Sequence, residues 1–460
     1  MSDERNRPIL RISRPDYGRW KLKGNPFPIA GVTRCPIVGT ADSSTPYPLI
    51  DPIMDSEVHG FISETLEGKE YGGMVVLGEW GAGKTYALRY IETLLGTIKT
   101  RPDAEEILAV YIERPAATLQ DLVADICNHI GRARIANTLL ELIFSDLARE
   151  VSKDSGEMHS RATRVQQEYE LAAKSQLFAD KNIINRITAP DAVLNPSTAL
   201  SAIRTSGHNP MLLFDFAKES ISMVLGPDRQ LALDVSGHLA ELALCSHDRA
   251  ARLWQTFLSG RVVSRERTIA TISGQNIWSF IMRILNHIGY TMVYWLIDEF
   301  EELEYQQQRR LSSLRAFLAE MRDLIDANLA NFALVLASTP SSWDLYRDLN
   351  PPFVSRFVRT VPLPPNTVAD LKRMIEYRLS FVRASDWPGS SLSPFTEDAI
   401  KALGRESDGN SRVAVQSCHI LLWHAATVGL DEITAETVDK LSEISHTFLL
   451  TRDGGSRHDH

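Results

Sequence analysis

The sequence predicts an α/β fold: a parallel β-sheet flanked by helices, interrupted by a long helical insertion and followed by a C-terminal helical region. Three observations predict it. Gly78-Glu79-Trp80-Gly81-Ala82-Gly83-Lys84-Thr85 fits G-x-x-x-x-G-K-[ST] in full and lies between an apolar run, Met74 to Leu77, and a helix-like stretch from Tyr86. Val293 to Ile297 is a continuous apolar run that ends in Asp298-Glu299, as expected of a central strand with carboxylates at its C-terminal end. Strand-like and helix-like segments alternate on both sides of these motifs.

Taken in order, residues 1–50 are rich in Pro, Arg and Gly with little periodicity, and Asn25-Pro26-Phe27-Pro28 is their one compact feature. They read as a mostly irregular arm packed against the nucleotide domain. From Pro52 to Glu67, Ile53, Val58, Phe61, Ile62 and Leu66 form a stripe at helical spacing. Ala87, Leu88, Ile91, Leu94 and Leu95 do the same after the glycine-rich loop. Ile107 to Ile112 reads as a strand and Leu119 to Ile130 as an amphipathic helix, which makes residues 51–134 the first part of the sheet domain. Residues 135–275 then have helical period almost throughout, clearest over Met211 to Leu225, Leu231 to Leu244 and Ala250 to Phe257. Asn182 to His208 reads as loop. Residues 276–365 resume the alternation, with helix Ile277 to Ile288, the Asp298 strand, helix Leu311 to Ala327, strand Phe332 to Ala337 and a last strand, Val361 to Leu363. Residues 366–450 are helical, including a helix opened by Asp408-Gly409-Asn410-Ser411-Arg412, and 451–460 read as a disordered tail.

The chemistry follows from the two motifs. Glycines let backbone N–H groups turn inward on phosphates, and the following helix adds its N-terminal partial positive charge. Lys84 is placed to reach the β- and γ-phosphates of ATP, and the Thr85 hydroxyl to ligate Mg²⁺. Asp298 is expected to meet the same Mg²⁺, with Glu299 polarising the attacking water. A polar residue at the tip of the next strand, Ser338 or Thr339, is placed to contact the γ-phosphate or the water, and the sequence leaves both open.

Composition sets the remaining bounds. A net charge of −9, with 44% hydrophobic and 23% charged residues, describes an ordinary globular protein whose surface as a whole does not advertise nucleic-acid binding. Cys35, Cys127, Cys245 and Cys418 lack C-x-x-C spacing, so neither a disulfide framework nor a zinc site is expected. The histidines of the insertion, His159, His208, His238 and His247, lack ligand spacing and read as surface or packing residues. No apolar run reaches the ~20 residues of a membrane span, and the charged N-terminus is no signal peptide. A cytoplasmic protein is expected.

The order of these motifs resembles that of AAA+ ATPases, in particular the branch of origin-recognition initiators and transposition regulators. The resemblance covers residues 50 to 450, with the insertion interrupting it. It implies an ATPase with ATP and Mg²⁺ as cofactors, working as a homo-oligomeric ring or filament with a protein partner and possible contact to DNA. It makes Gly78 to Tyr86 the nucleotide-binding loop, Thr339 or Ser338 the sensor 1 residue, and Arg412 a sensor 2 arginine offered from a helical lid. In the same way Arg356 of Ser355-Arg356-Phe357 resembles the arginine finger given to a neighbour's nucleotide. Arg252-Leu253-Trp254-Gln255-Thr256-Phe257-Leu258-Ser259-Gly260, and Gly289-Tyr290 before the acidic strand, are also similar to ATP-binding proteins of BREX-type phage-defence systems. The residues after the lid are too few for the winged helix of origin initiators, so DNA contact is expected from loops of an assembled ring. Two other functions stay open: a signalling ATPase whose nucleotide state controls assembly with an effector, and a nucleotide-stabilised scaffold, which the Glu299 beside Asp298 disfavours.

Overall fold

The computed structural model describes residues 15–29, 52–99, 106–152, 181–190, 195–226, 229–263, 269–287, 289–306 and 310–445. Most of the arm, His159, Cys35 and the tail at 451–460 lie outside the described residues.

Five parallel strands make the main sheet: β1 (Gly72–Leu77), β2 (Glu106–Ile112), β5 (Tyr290–Ile297), β6 (Phe332–Ser338) and β7 (Arg359–Pro362), in the order β2-β5-β6-β1-β7. With helices on both faces this is an α/β P-loop fold. The Asp298 strand lies beside the Phe332 strand, as the sequence implied, with Ile297 in register with Leu336. Chain connections leave β1 for the far edge at β2 and later return past β1 to β7. The crevice at the C-terminal end of β1 is therefore the place where such sheets bind ligands.

Successive residues of the central strands serve two cores, because side chains alternate across a sheet. Met292, Tyr294 and Leu296 of β5 pack with helices Pro52–Gly68 and Lys84–Lys99 through Phe61, Leu88 and Ile91. Val293, Trp295 and Ile297 face the other way, where Trp295 meets Trp278 edge-on at 4.5 Å and Phe332 at 5.1 Å. That second core is continuous with the insertion. Helices Arg132–Ser152, Phe214–Leu225, Arg229–Leu244 and His247–Leu258 bury Phe144, Ile221, Val235 and Phe257 against the same cluster as the sheet.

The mostly helical insertion also holds a short antiparallel ribbon, β3 (Arg261–Val263) paired with β4 (Ile269–Thr271). Two sequence expectations are corrected here. Asn182 to His208 holds helices Lys181–Ile187 and Pro196–Thr205 rather than loop alone. The described part of the arm, residues 15–29, packs on the C-terminal helices and not on the nucleotide domain. Trp20, Leu22 and Phe27 are buried among Leu379, Phe395 and Cys418, Phe27 meets Phe395 at 5.9 Å, and Asn25 Nδ2 donates to His419 O at 2.9 Å. The hydrophobic demand of these three side chains outweighs the segment's lack of regular structure.

The Trp254 segment is a packing joint. Trp254 Nε1 donates to Asn128 Oδ1 at 3.0 Å, and Gln120 Nε2 caps Leu258 O at 2.6 Å, so both tie this segment to helix Leu119–Ile130. His238 is fully buried with its Nε2 against Leu253 O, a packing role as expected.

Candidate functional site: a phosphate loop under a helical lid

β1 ends at Leu77 and helix Lys84–Lys99 begins after six intervening residues, so the loop must reverse tightly over the end of the sheet. It does so with Gly81 at φ 81° and Gly83 at φ 105°, values open to glycine and costly for other residues. Gly81 is constrained twice, since a Cβ there would lie 2.1 Å from Asn410 Oδ1. Gly78 N–H donates to Ser338 O at 3.1 Å, which anchors the loop to the tip of β6.

Lys84 is folded back under the loop. It is 7% exposed, donates to Gly78 O at 2.8 Å, and its Nζ lies 5.6 Å from the centre of the Trp80 ring. The same Nζ stands 3.1 Å from Glu301 Oε1. Trp80 is itself 44% exposed at the mouth of the loop.

The tip of β5 presents Asp298, 1% exposed, with Oδ2 accepting from Tyr111 Oη at 2.9 Å and Oδ1 from the Glu299 N–H at 2.9 Å. Tyr111 comes from the neighbouring β2. Its hydroxyl pKa is pushed up, first by burial and then by the Asp298 charge, so it remains a donor. Arg89, from the helix after the phosphate loop, stacks on the Tyr111 ring at 3.4 Å. Loop helix and acidic strand tip are thus coupled through one tyrosine.

Glu299 is at φ 46°, a left-handed conformation that a non-glycine residue holds at a cost of about 1–3 kcal/mol. Its carboxylate pairs with Arg114 Nε at 2.6 Å, two residues beyond β2. The sequence places Glu299 to act on water; the structure shows the side chain held by a cation instead. Ser338 and Thr339 also part company. Thr339 Oγ1 caps helix Pro340–Leu349 by accepting from Ser342 N at 3.3 Å. Ser338 Oγ is fully buried with no hydrogen-bond partner among the described residues.

From the other side, helix Ser411–Val428 points its N-terminus at the loop. Asn410 Nδ2 donates to Trp80 O at 2.6 Å, Ser411 N–H donates to Gly81 O at 3.1 Å, and Asn410 Oδ1 caps its own helix at Arg412 N and Val413 N. Arg412 is the next residue, half-buried and in no ion pair among the described residues. Structure therefore brings together the loop, Lys84, Asp298, Glu299, Ser338 and the Arg412 helix.

Arg356 is not among them. A Cβ on Gly73 would lie 2.1 Å from Arg356 O, which puts Arg356 at the N-terminal end of β1, about 17 Å of strand from Gly78. There it forms a bidentate pair with Asp326, Nε to Oδ1 at 2.7 Å and Nη2 to Oδ2 at 3.0 Å.

Mg²⁺ is implied by the motif. Divalent magnesium needs one or two protein oxygens beside phosphate and water. Thr85, whose hydroxyl has no protein partner among the described residues, and the two-oxygen Asp298 carboxylate fit that need. Among the described residues there is no group of three or more His, Cys, Asp or Glu able to hold a metal without a nucleotide.

Sequence reasoning passed over Tyr111, Arg114 and Glu301. The first two become visible once β2 is placed beside β5, and Glu301 reads as part of a solvated acidic run until its burial is seen.

No protein-family signature and no curated protein matches the sequence. Among solved structures, the chain is similar to the Aeropyrum pernix ORC2 protein in ADPNP–ADP complexes, at 11% identity over 86% of this chain and 70% of that one, with a TM-score of 0.42. It is similar to Cdc6p from Pyrobaculum aerophilum, at 12% identity over 88% and 71% with a TM-score of 0.41. Drosophila ORC bound to DNA matches at 12% identity over 96% of this chain and 68% of that one, also with a TM-score of 0.41.

Proposed function

We propose that this protein is an AAA+-type ATPase that binds ATP with Mg²⁺ between its sheet domain and its helical lid and hydrolyses it at contacts between subunits. The observation that carries this is the convergence on one loop of the buried Lys84, the Asp298-Glu299 strand tip and the lid helix docked through Asn410 and Ser411. A loop gripped from both sides links phosphate occupancy to lid position, which is what converts binding into motion.

In this reading Lys84 and the loop N–H groups hold the β- and γ-phosphates, and Thr85 and Asp298 hold Mg²⁺, which neutralises phosphate charge when bound. Glu299 orients water after leaving Arg114, Ser338 offers its unused hydroxyl nearby, and Arg412 reaches in from the lid. Arg356, remote from its own loop, serves a neighbouring subunit, so activity depends on assembly as a homo-oligomer. Work on a DNA-associated complex, in phage defence or mobile-element control, is supported by motif order and by the Trp254 and Gly289-Tyr290 segments.

A second reading has its own support. Glu299 is held by Arg114 and Lys84 is paired with Glu301, so hydrolysis would require both pairs to open, as in a switch that assembles with a protein effector. Glu299→Gln tests the hydrolysis that both readings share. Hydrolysis should fall about 100-fold or more with ATP binding retained. Stimulation of the wild-type rate by double-stranded DNA favours the DNA-acting motor, and no response to DNA favours the switch.

A further inference from the structure

Glu301 is the one acidic side chain of the Asp298 to Glu304 run that the chemistry above leaves without a task and that faces the phosphate site. It is 2% exposed, so it is not part of a solvated acidic face. Its position is firmly set: Phe300 N–H donates to Ala337 O at 3.0 Å, and the fully buried Phe300 ring stacks among Phe317, Tyr346 and Phe353. The turn after β5 is thereby pinned to the tip of β6, with Glu301 turned inward. Lys84 Nζ is 3.1 Å from its Oε1, a close ion pair inside the protein. Burial raises the Glu301 pKa above its ordinary value, and the Lys84 ammonium is the nearest charge that opposes the rise.

We infer that Glu301 is the resident counter-ion of Lys84 in the empty site, and that a nucleotide's phosphates enter by taking the ammonium from it, so that Glu301 sets the site's affinity for polyphosphate. This rests on the phosphate-loop reading. A buried carboxylate and an incoming phosphate compete for one ammonium, and they repel each other across it. Two consequences follow. Metal-free nucleotide binds weakly, because Glu301 is left charged and unpaired. Nucleotide carrying Mg²⁺ binds better by more than phosphate neutralisation alone gives, because it also brings a positive charge close to Glu301. A nucleotide-free chain is stabilised by the pair and discriminates against uncomplexed polyphosphate.

Titration of ADP and ATP into wild type, Glu301→Gln and the neighbouring control Glu302→Gln, with Mg²⁺ and with EDTA, tests this. Gln keeps the shape and removes the charge. Glu301→Gln should tighten metal-free ADP and ATP by about tenfold or more, the scale of one charge-assisted contact, and should shrink the advantage given by Mg²⁺. Glu302→Gln should match wild type. Wild type that binds while Glu301→Gln binds no more tightly overturns the inference alone. Wild type that binds no nucleotide overturns the phosphate-loop reading and the inference with it. Melting of the nucleotide-free protein gives a second readout: Lys84→Met should lower Tm by stranding Glu301, and Lys84→Met with Glu301→Gln should recover most of that loss. Losses that simply add contradict the pairing.

Discussion

Lys84, Asp298 and Glu299 at the site, and Arg356 beyond it, are each held by a partner, and those partners decide what a substitution does. Arg114 occupies the Glu299 carboxylate that the proposed water activation needs, and a carboxylate committed to a guanidinium is a weaker acceptor. Arg114→Ala should therefore raise kcat several-fold with KM unchanged in steady-state ATPase assays; a fall in kcat would mean that Arg114 supports Glu299 in its active position. Arg356 is held by Asp326, whose carboxyl lies below the usual carboxylate range because of that hydrogen bond. A depressed folded-state pKa gives stability that is present above the unfolded value of about 3.9 and is lost as pH falls through the folded value. The pair is largely exposed, so it is worth no more than about 1 kcal/mol. Arg356→Ala should thus lower Tm slightly at pH 7, and the loss should shrink as pH falls through the depressed Asp326 value; a loss that stays constant with pH would contradict the pairing. Of this residue-level picture, the sequence showed Lys84, Thr85, Asp298 and Glu299, because a contiguous motif encodes them. It did not show Arg114, Tyr111 or the inward turn of Glu301, which depend on strand neighbours and on a buried turn.

Elements were more legible than pairings. Helices Leu119–Ile130 and Leu311–Ala327 have the bounds their apolar spacing predicts, and the strand tip beside β5 was placed correctly. The β3–β4 ribbon escaped notice because three residues per strand are too few to establish a period of two. Docking of Trp20, Leu22 and Phe27 on the C-terminal helices was equally hidden, since it pairs segments at opposite ends of the chain. The lid contact at the loop belongs to this scale. Asn410 both caps its helix and reaches Trp80 O, and two variants divide these duties. Asn410→Ala should cost about 1 kcal/mol from the lost cap, whereas Asn410→Ser keeps a cap but cannot span to the loop. Both should weaken ATP binding several-fold, while only the Ala variant should melt appreciably earlier. Equal affinity for wild type and both variants would show that the lid contact is incidental to the nucleotide.

For the whole molecule, the arrangement of the sheet sets the terms. Loop and acidic tips gather at the C-terminal end of the strands, and Arg356 lies at the opposite end. In the proposed mechanism a single subunit thus holds a phosphate site and, remote from it, an arginine for another. The insertion shares a core with the sheet face, so it is packed continuously with β5. No helix among the described residues is long and apolar enough to cross a membrane. The central claim is hydrolysis completed between subunits, and the most direct measurement is specific ATPase activity against protein concentration for wild type, Arg356→Ala and an equimolar mixture of Arg356→Ala with Glu299→Gln. The expected result is a wild-type rate that rises with concentration, little activity in either variant alone, and recovery in the mixture, where Glu299→Gln supplies Arg356 to a neighbour with an intact Glu299. A rate independent of concentration and unchanged by Arg356→Ala would contradict it.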